Sequence, residues 1–344
     1  MVSQLGARRV ERQRQGPYTV PMPNGSFPIL FITATRIGDA VLSSGLIRKL
    51  VDEVPHARFT IVAGPAAAPL FLDTPHLDEI IVFEKSKSGG HWLDLWNRVR
   101  RRKWGLIVDL RGSAISQLLK RDRRAVFKRS FGPVTHKVVE ASRLLKIEDD
   151  PAAPYLFTTE ATEAYAEELT AGRGPILALA PAANWVGKTW PAERFAQVAN
   201  QLVGGHGPMA GGRLMLLGGP DDAQAVAALR HVLPRERTLD LAGKVDLLTA
   251  YACLKRARLF IGNDSGLMHL AAAAGIPTVG LFGPSDERMY APWGPDTRVV
   301  RGTRSFEQIR AVDPGFQQAL CHMMDLPVSD VTAAAKDLLA QTQQ

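Results

Sequence analysis

The stretch IGNDSGLMHLAAAAGIPTVGLFGPSD (residues 261–286) is apolar enough for a protein core, yet Asn263, Asp264, Ser265 and His269 lie in its middle. The residues LFI leading into Asn263 have strand character, GLMHLAAAA has helical spacing, and PTVGLFG is a second apolar run. A strand–helix–strand unit implies parallel strands joined by a right-handed crossover. In such folds ligands gather beyond the carboxyl ends of the strands. The polar residues thus fall where free N–H groups at a helix start attract anions. Ser265-Gly266 lets a phosphate approach the backbone closely, and His269, one helical turn beyond Ser265, faces the same ligand. A structural reading competes: Asp264 or Ser265 caps the helix, and His269 is a satisfied, partly buried side chain.

The same alternation runs along the chain. Strand-like runs occur at FPILFITA (27–34), ARFTIVAG (57–64), DEIIVFE (78–84), GLIVDL (105–110) and AVFKRS (125–130), with helical patterns between. The segment EDDPAAPYLFTT (148–159) breaks the rhythm with two prolines. Strands resume at PILALAP (175–181), RLMLLGG (213–219), TLDLAG (238–243), RLFIGN (258–263) and PTVGLFG (277–283). The expectation is an α/β protein of two Rossmann-like domains facing a cleft, at 27–158 and 159–344, after a disordered basic leader at 1–26. The C-terminal helix is expected to return to the N-terminal domain.

At 344 residues the chain suits two domains of about 150 residues each. Cys253 and Cys321 form no CxxC pair or disulfide framework, which suits a reducing compartment. The leader's arginines (Arg8, Arg9, Arg12, Arg14) precede no apolar h-region, unlike a secretory signal. No apolar run of about 18 residues offers a membrane span. Charge is uneven: residues 1–150 carry 25 Lys and Arg against 15 Asp and Glu, and residues 151–344 carry 17 against 19. Between Arg98 and Arg129 twelve basic residues face two acidic ones, Arg100, Arg101, Arg102 and Arg111 among them. Such a cluster suits a phosphorylated lipid or a membrane surface, or else is a solvated helix face. Nucleic acid is disfavoured, since no RNP-like motif, zinc finger or basic zipper accompanies the charge.

Three more crossovers carry candidate chemistry. In APAANWVGKTWPAERFAQVANQL, Lys188 precedes a Trp-Pro pair that opens a helix, a good place to neutralise a phosphate. LGGPDD (217–222) is a glycine-rich turn in which Asp221 or Asp222 serves as a cap or meets a ligand. In TRIGDAVLSSGLIRKL, Gly38 admits a close backbone approach. Asp39, after Arg36, is there either a helix cap or a general base. No GxGxxG or Walker A sequence follows a strand.

RIGDAVLSSGLIRKL, GKTWPAERFAQVANQL, LLGGPDD, DLAGKVDLLTAYACLKRARLFIGNDSGLMHLAAAAGIPTVGLFGPSD and CHMMDLPVSDVTAAAKDLL together resemble the heptosyltransferase family, GT-B glycosyltransferases of lipopolysaccharide inner-core assembly. The likeness runs in register from about Pro28 to Leu339, and the NDSGxxHLAxAxGxPTVxLFGP block is its most specific part. The resemblance implies transfer of a sugar from a nucleotide sugar, ADP-heptose in most members, with inversion and with neither metal nor cofactor. Asp39 matches the family's catalytic carboxylate, and Lys188 with Ser265, Gly266 and the helix dipole would stabilise the departing diphosphate. Asp264 and His269 match donor-holding positions. Where family members carry Thr or Ser before the lysine block, this chain has Ala182-Ala183-Asn184-Trp185, leaving Asn184 as a donor contact.

The acceptor implied, lipid A bearing Kdo, is anionic and sits in the cytoplasmic leaflet. Arg36, Arg100, Arg101, Arg102 and Arg111 are its expected contacts, on a cytoplasmic protein peripheral to the inner face of the inner membrane. Two alternatives remain: a GT-B enzyme with another nucleotide sugar or acceptor, and a non-catalytic sugar-nucleotide-binding protein.

Overall fold

The alternating runs fold into two parallel sheets. A computed structural model describes residues 25–84, 90–128, 132–316 and 318–342. The basic leader lies outside the described residues except for its last two positions. The chain divides into two units: residues 1–133 with 137–159, and 160–344 with 134–136.

The first unit alternates β1 (Phe27–Ile32), α1 (Ile37–Ser43), α2 (Gly45–Glu53), β2 (Ala57–Ala63), β3 (Leu77–Val82), α3 (Gly90–Val99), β4 (Trp104–Asp109), α4 (Ile115–Leu118), β5 (Arg121–Val126) and α5 (Lys137–Ser142). Its sheet order is β3-β2-β1-β4-β5, all parallel. The chain adds strands to one side of β1, then crosses to the other, so β1 and β4 flank the switch point. Ile29 to Ile32 are fully buried, as a strand covered on both faces requires. One face packs Leu30, Ile32, Val62 and Ile107 under Leu95 and Val99 of α3 and Ile115 and Leu119 beyond β4.

Strand β5 differs from expectation. The apolar run at 125–130 suggested a strand there, whereas the strand occupies RDRRAV at 121–126. At a sheet edge the backbone ladder needs a partner on one side only, so charged residues are tolerated and apolarity is a poor guide.

The second unit contains α6 (Glu160–Thr170), β6 (Ile176–Ala180), α7 (Ala192–Val203), β7 (Arg213–Leu216), α8 (Ala223–Val232), β8 (Thr238–Asp240), α9 (Leu247–Leu254), β9 (Leu259–Asn263), α10 (Gly266–Ala273), β10 (Thr278–Phe282), α11 (Glu287–Tyr290), β11 (Thr297–Arg301), α12 (Phe306–Val312) and α13 (Val328–Gln341). Its strands are parallel in the order β11-β10-β9-β6-β7-β8, the doubly wound arrangement with its switch point between β6 and β9. Strand β11, TRVVR, is not among the expected runs: Arg298 and Arg301 within it mask a short edge strand.

The expectation that the last helix returns to the first domain is corrected. Val331, Ala335, Leu338 and Leu339 of α13 lie in the second unit's core, with Trp190, Phe195 and Leu259. Arg258, one residue before β9, adds a 3.0 Å hydrogen bond to Leu339 O. The helix buries its apolar face where it is.

Candidate active site

Two loops leave neighbouring strands at the second sheet's switch point: one follows β6 to Lys188, the other runs from β9 into α10. Asn263, fully buried at the end of β9, joins them. Its Oδ1 accepts from Trp190 N at 3.2 Å and its amide donates to Pro181 O at 2.6 Å. Asn263 therefore ties the two loops together.

Asp264 is 5% exposed. One carboxylate oxygen accepts from Lys188 Nζ at 2.5 Å and from Ser285 Oγ at 2.6 Å. The other lies 3.8 Å from His269 Nε2, beyond hydrogen-bond range. Neither acidic nor hydroxyl side chain caps α10: Ser265 holds the N-cap position in extended backbone, with no side-chain cap bond. Ser265 Oγ and His269 Nδ1 are buried without a partner. An unsatisfied buried polar atom costs about 1–3 kcal/mol, and both atoms keep hydrogen-bonding capacity that a ligand could use. Burial pushes the His269 pKa down to about 4; Asp264 opposes the shift, and His136 and Lys188 reinforce it. Near pH 7 the imidazole is neutral and presents one donor and one acceptor.

Lys188 closes a one-turn 3-10 helix, Val186–Lys188. The turn depends on Gly187, where a Cβ would lie 2.1 Å from the Trp185 indole. A later segment clasps it. His322 N donates to Gly187 O at 3.1 Å, Cys321 Sγ to Thr189 O at 3.2 Å, and Trp190 Nε1 to Leu326 O at 3.1 Å. Sequence reading missed Ser285, which reaches Asp264 from the loop after β10. Arg301 bonds the Gly283 and Ser285 carbonyls and so fixes that loop. Asn184 is exposed on the loop leading to the turn, and Gly266 starts α10. At LGGPDD the Asp222 carboxylate folds back onto Gly219 N at 2.7 Å, a turn-closing role. Among the described residues no group of three or more His, Cys, Asp or Glu side chains converges for a metal ion.

In the first unit, Arg36 is exposed at the N-cap position of α1 and Asp39 lies partly buried in its first turn, beyond the carboxyl end of β1. Arg111 follows β4, at the same end of the sheet. Arg100, Arg101 and Arg102 instead precede β4, at the opposite end, one six-residue strand or about 20 Å away. The structure thus divides the arginines expected to act together. Arg102 is also engaged: it pairs with Asp78 at 3.0 Å and lies over the Trp104 ring. Arg98 pairs with Glu79, and Lys103 pairs with Asp122 at 2.5 Å. Arg100, Arg101, Arg123 and Arg124 are exposed.

Two doubly wound sheets, with a lysine beside a helix start at the second switch point, match the two-domain α/β architecture of GT-B glycosyltransferases. Residues 111–313 match Glycosyltransferase family 9 (heptosyltransferase), and the chain belongs to that family. Lipopolysaccharide heptosyltransferase 2 of Escherichia coli strain K12 is 24% identical over 353 residues, covering 92% of this chain and 99% of that protein. The structure of a glycosyl transferase family 9 protein from Veillonella parvula aligns with TM-score 0.74 at 20% identity, covering 92% of this chain and 98% of the other. E. coli ADP-heptose lps heptosyltransferase II aligns with TM-score 0.72 at 22% identity, covering 92% and 100%.

Proposed function

We propose that this chain transfers heptose from ADP-heptose, with inversion, to an anionic inner-core acceptor of lipopolysaccharide. The observation that carries the reading is the cluster of Lys188, Asp264, Ser265 and His269 at the second switch point, with two buried polar atoms unpartnered. The donor's diphosphate binds there, on Lys188 and the first N–H groups of α10, and Asn184 adds a contact from the preceding loop. Asp39 takes the proton from the acceptor hydroxyl as that oxygen attacks the anomeric carbon. The bond from that carbon to the diphosphate oxygen breaks, and ADP leaves with its charge stabilised by Lys188, Ser265 and Gly266. The names of the relatives support heptose and ADP as sugar and nucleotide.

The first unit is the acceptor-binding domain and the second the donor-binding domain. The chain works at the inner face of the inner membrane. Exposed Arg100, Arg101, Arg123 and Arg124 support this, each worth about 1 kcal/mol near anionic lipid. Among the described residues no helix is long and apolar enough to cross a membrane.

A panel of nucleotide sugars with detergent-dispersed Kdo-lipid A tests the reading. ADP release from ADP-heptose is expected to depend on acceptor, and Asp39→Asn to lower kcat by about a hundredfold or more while ADP still binds. ADP binding without acceptor-dependent release from any nucleotide sugar would instead favour a non-catalytic binding protein.

A further inference from the structure

The switch point of the first sheet carries a second built feature. β1 and β4 leave it side by side, with Ile32 in register with Asp109. Asp109 is fully buried, and it shapes the loop that follows. One carboxylate oxygen accepts from Arg111 N at 2.9 Å; the other accepts from Ser113 N at 2.8 Å and Ser113 Oγ at 2.6 Å. Gly112 between them has φ +63, and a Cβ there would stand 2.9 Å from Phe127 O, so the turn requires glycine.

This turn directs the Arg111 side chain back across the sheet. Its guanidinium lies 4.8 Å from the Phe83 ring centre, just past β3, and 5.5 Å from that of Trp92 in α3. Phe83 and Trp92 brace each other edge-to-face at 4.6 Å. In the order β3-β2-β1-β4, the strand leading to Asp39 lies between the backbone of Arg111 and the ring it reaches. Among the described residues the guanidinium's contacts are these two rings, with Asp109 the nearby carboxylate whose charge it feels. Burial lowers its pKa, and Asp109 opposes the shift only in part. A half-buried cation held on two aromatic faces has its forked N–H edge pre-set at little entropic cost, the form suited to bidentate recognition of an oxyanion.

We propose that Arg111, held by Phe83 and Trp92 and aimed by Asp109, is the subsite for an oxyanion on the acceptor saccharide, carboxylate or phosphate. It orients the sugar whose hydroxyl meets Asp39. Arg100 and Arg101, at the far end of the sheet, take no part in it. This rests on the acceptor reading of the first unit given above.

The test compares acceptor kinetics on three forms of Kdo-lipid A: native, carboxyl-reduced and dephosphorylated. For the wild-type enzyme, one treatment raises the acceptor KM about tenfold or more, the scale of a lost charge-assisted bidentate pair, and identifies the oxyanion. Arg111→Gln raises the native acceptor's KM by a similar factor, leaves the donor KM unchanged and makes the enzyme indifferent to that same treatment, as a double-mutant cycle demands. Arg111→Lys and Trp92→Leu fall between, and Trp92→Phe behaves as wild type; these variants keep the test open if Arg111→Gln folds poorly. Arg111 variants that discriminate among the three acceptors as the wild type does would overturn the subsite while leaving the transferase reading intact. Absence of wild-type transfer to every acceptor would overturn both.

Discussion

His269 shows how one side chain couples the site to stability. Its pKa of about 4 in the folded chain lies below the unfolded value near 6.5, so the unfolded chain binds the extra proton first as pH falls. The stability contributed by keeping the imidazole neutral is therefore fully present above pH 6.5 and is lost between about pH 6.5 and 4, roughly 3 kcal/mol in all. Urea unfolding of the wild type across that window should show the slope, and His269→Gln should flatten it. A variant with the wild-type slope would place the titration elsewhere. Asp264 is a buried carboxylate satisfied by Lys188 and Ser285, and so fixes the lysine's position.

Among the elements, the turn Val186–Lys188 carries a steric requirement next to the site. Gly187→Ala must displace the Trp185 indole or unwind the turn; if Lys188 binds the diphosphate as proposed, ADP affinity measured by calorimetry should fall about tenfold. The double variant Gly187→Ala, Trp185→Ala should recover most of it; no recovery would mean that the backbone itself had moved. The parallel alternation, the crossovers and the polar residues after β9 were legible in the sequence because buried strands announce themselves as apolar runs. Edge strands announce themselves only when apolar residues fill them: β3 is legible, whereas arginines within β5 and β11 displace the first from its expected place and hide the second. Ser285 and the clasp at His322 are hidden for another reason: one meets Asp264 and the other Gly187 through chain reversals that no local pattern records. The division of the arginines between the two ends of the first sheet followed only once strand direction was known.

At the scale of the whole chain, each unit owns its sheet and its core. Calorimetry should therefore resolve two unfolding transitions, and ADP at about a hundred times its Kd should raise only the second unit's transition, by roughly 2.7 kcal/mol of linkage. Trp104→Leu, in the first core, should lower the other transition alone. A single transition that moves under both treatments would mean that the units unfold together. The charged edge of the first sheet has a consequence of a different kind. Strand β5 ends its sheet, and Arg123 and Arg124, pointing to opposite faces, are both exposed. An outer strand with open backbone groups invites pairing with the same strand of another molecule. Two adjacent arginines bring like charge against like charge in any such pairing, so the edge resists polymerising into a shared sheet.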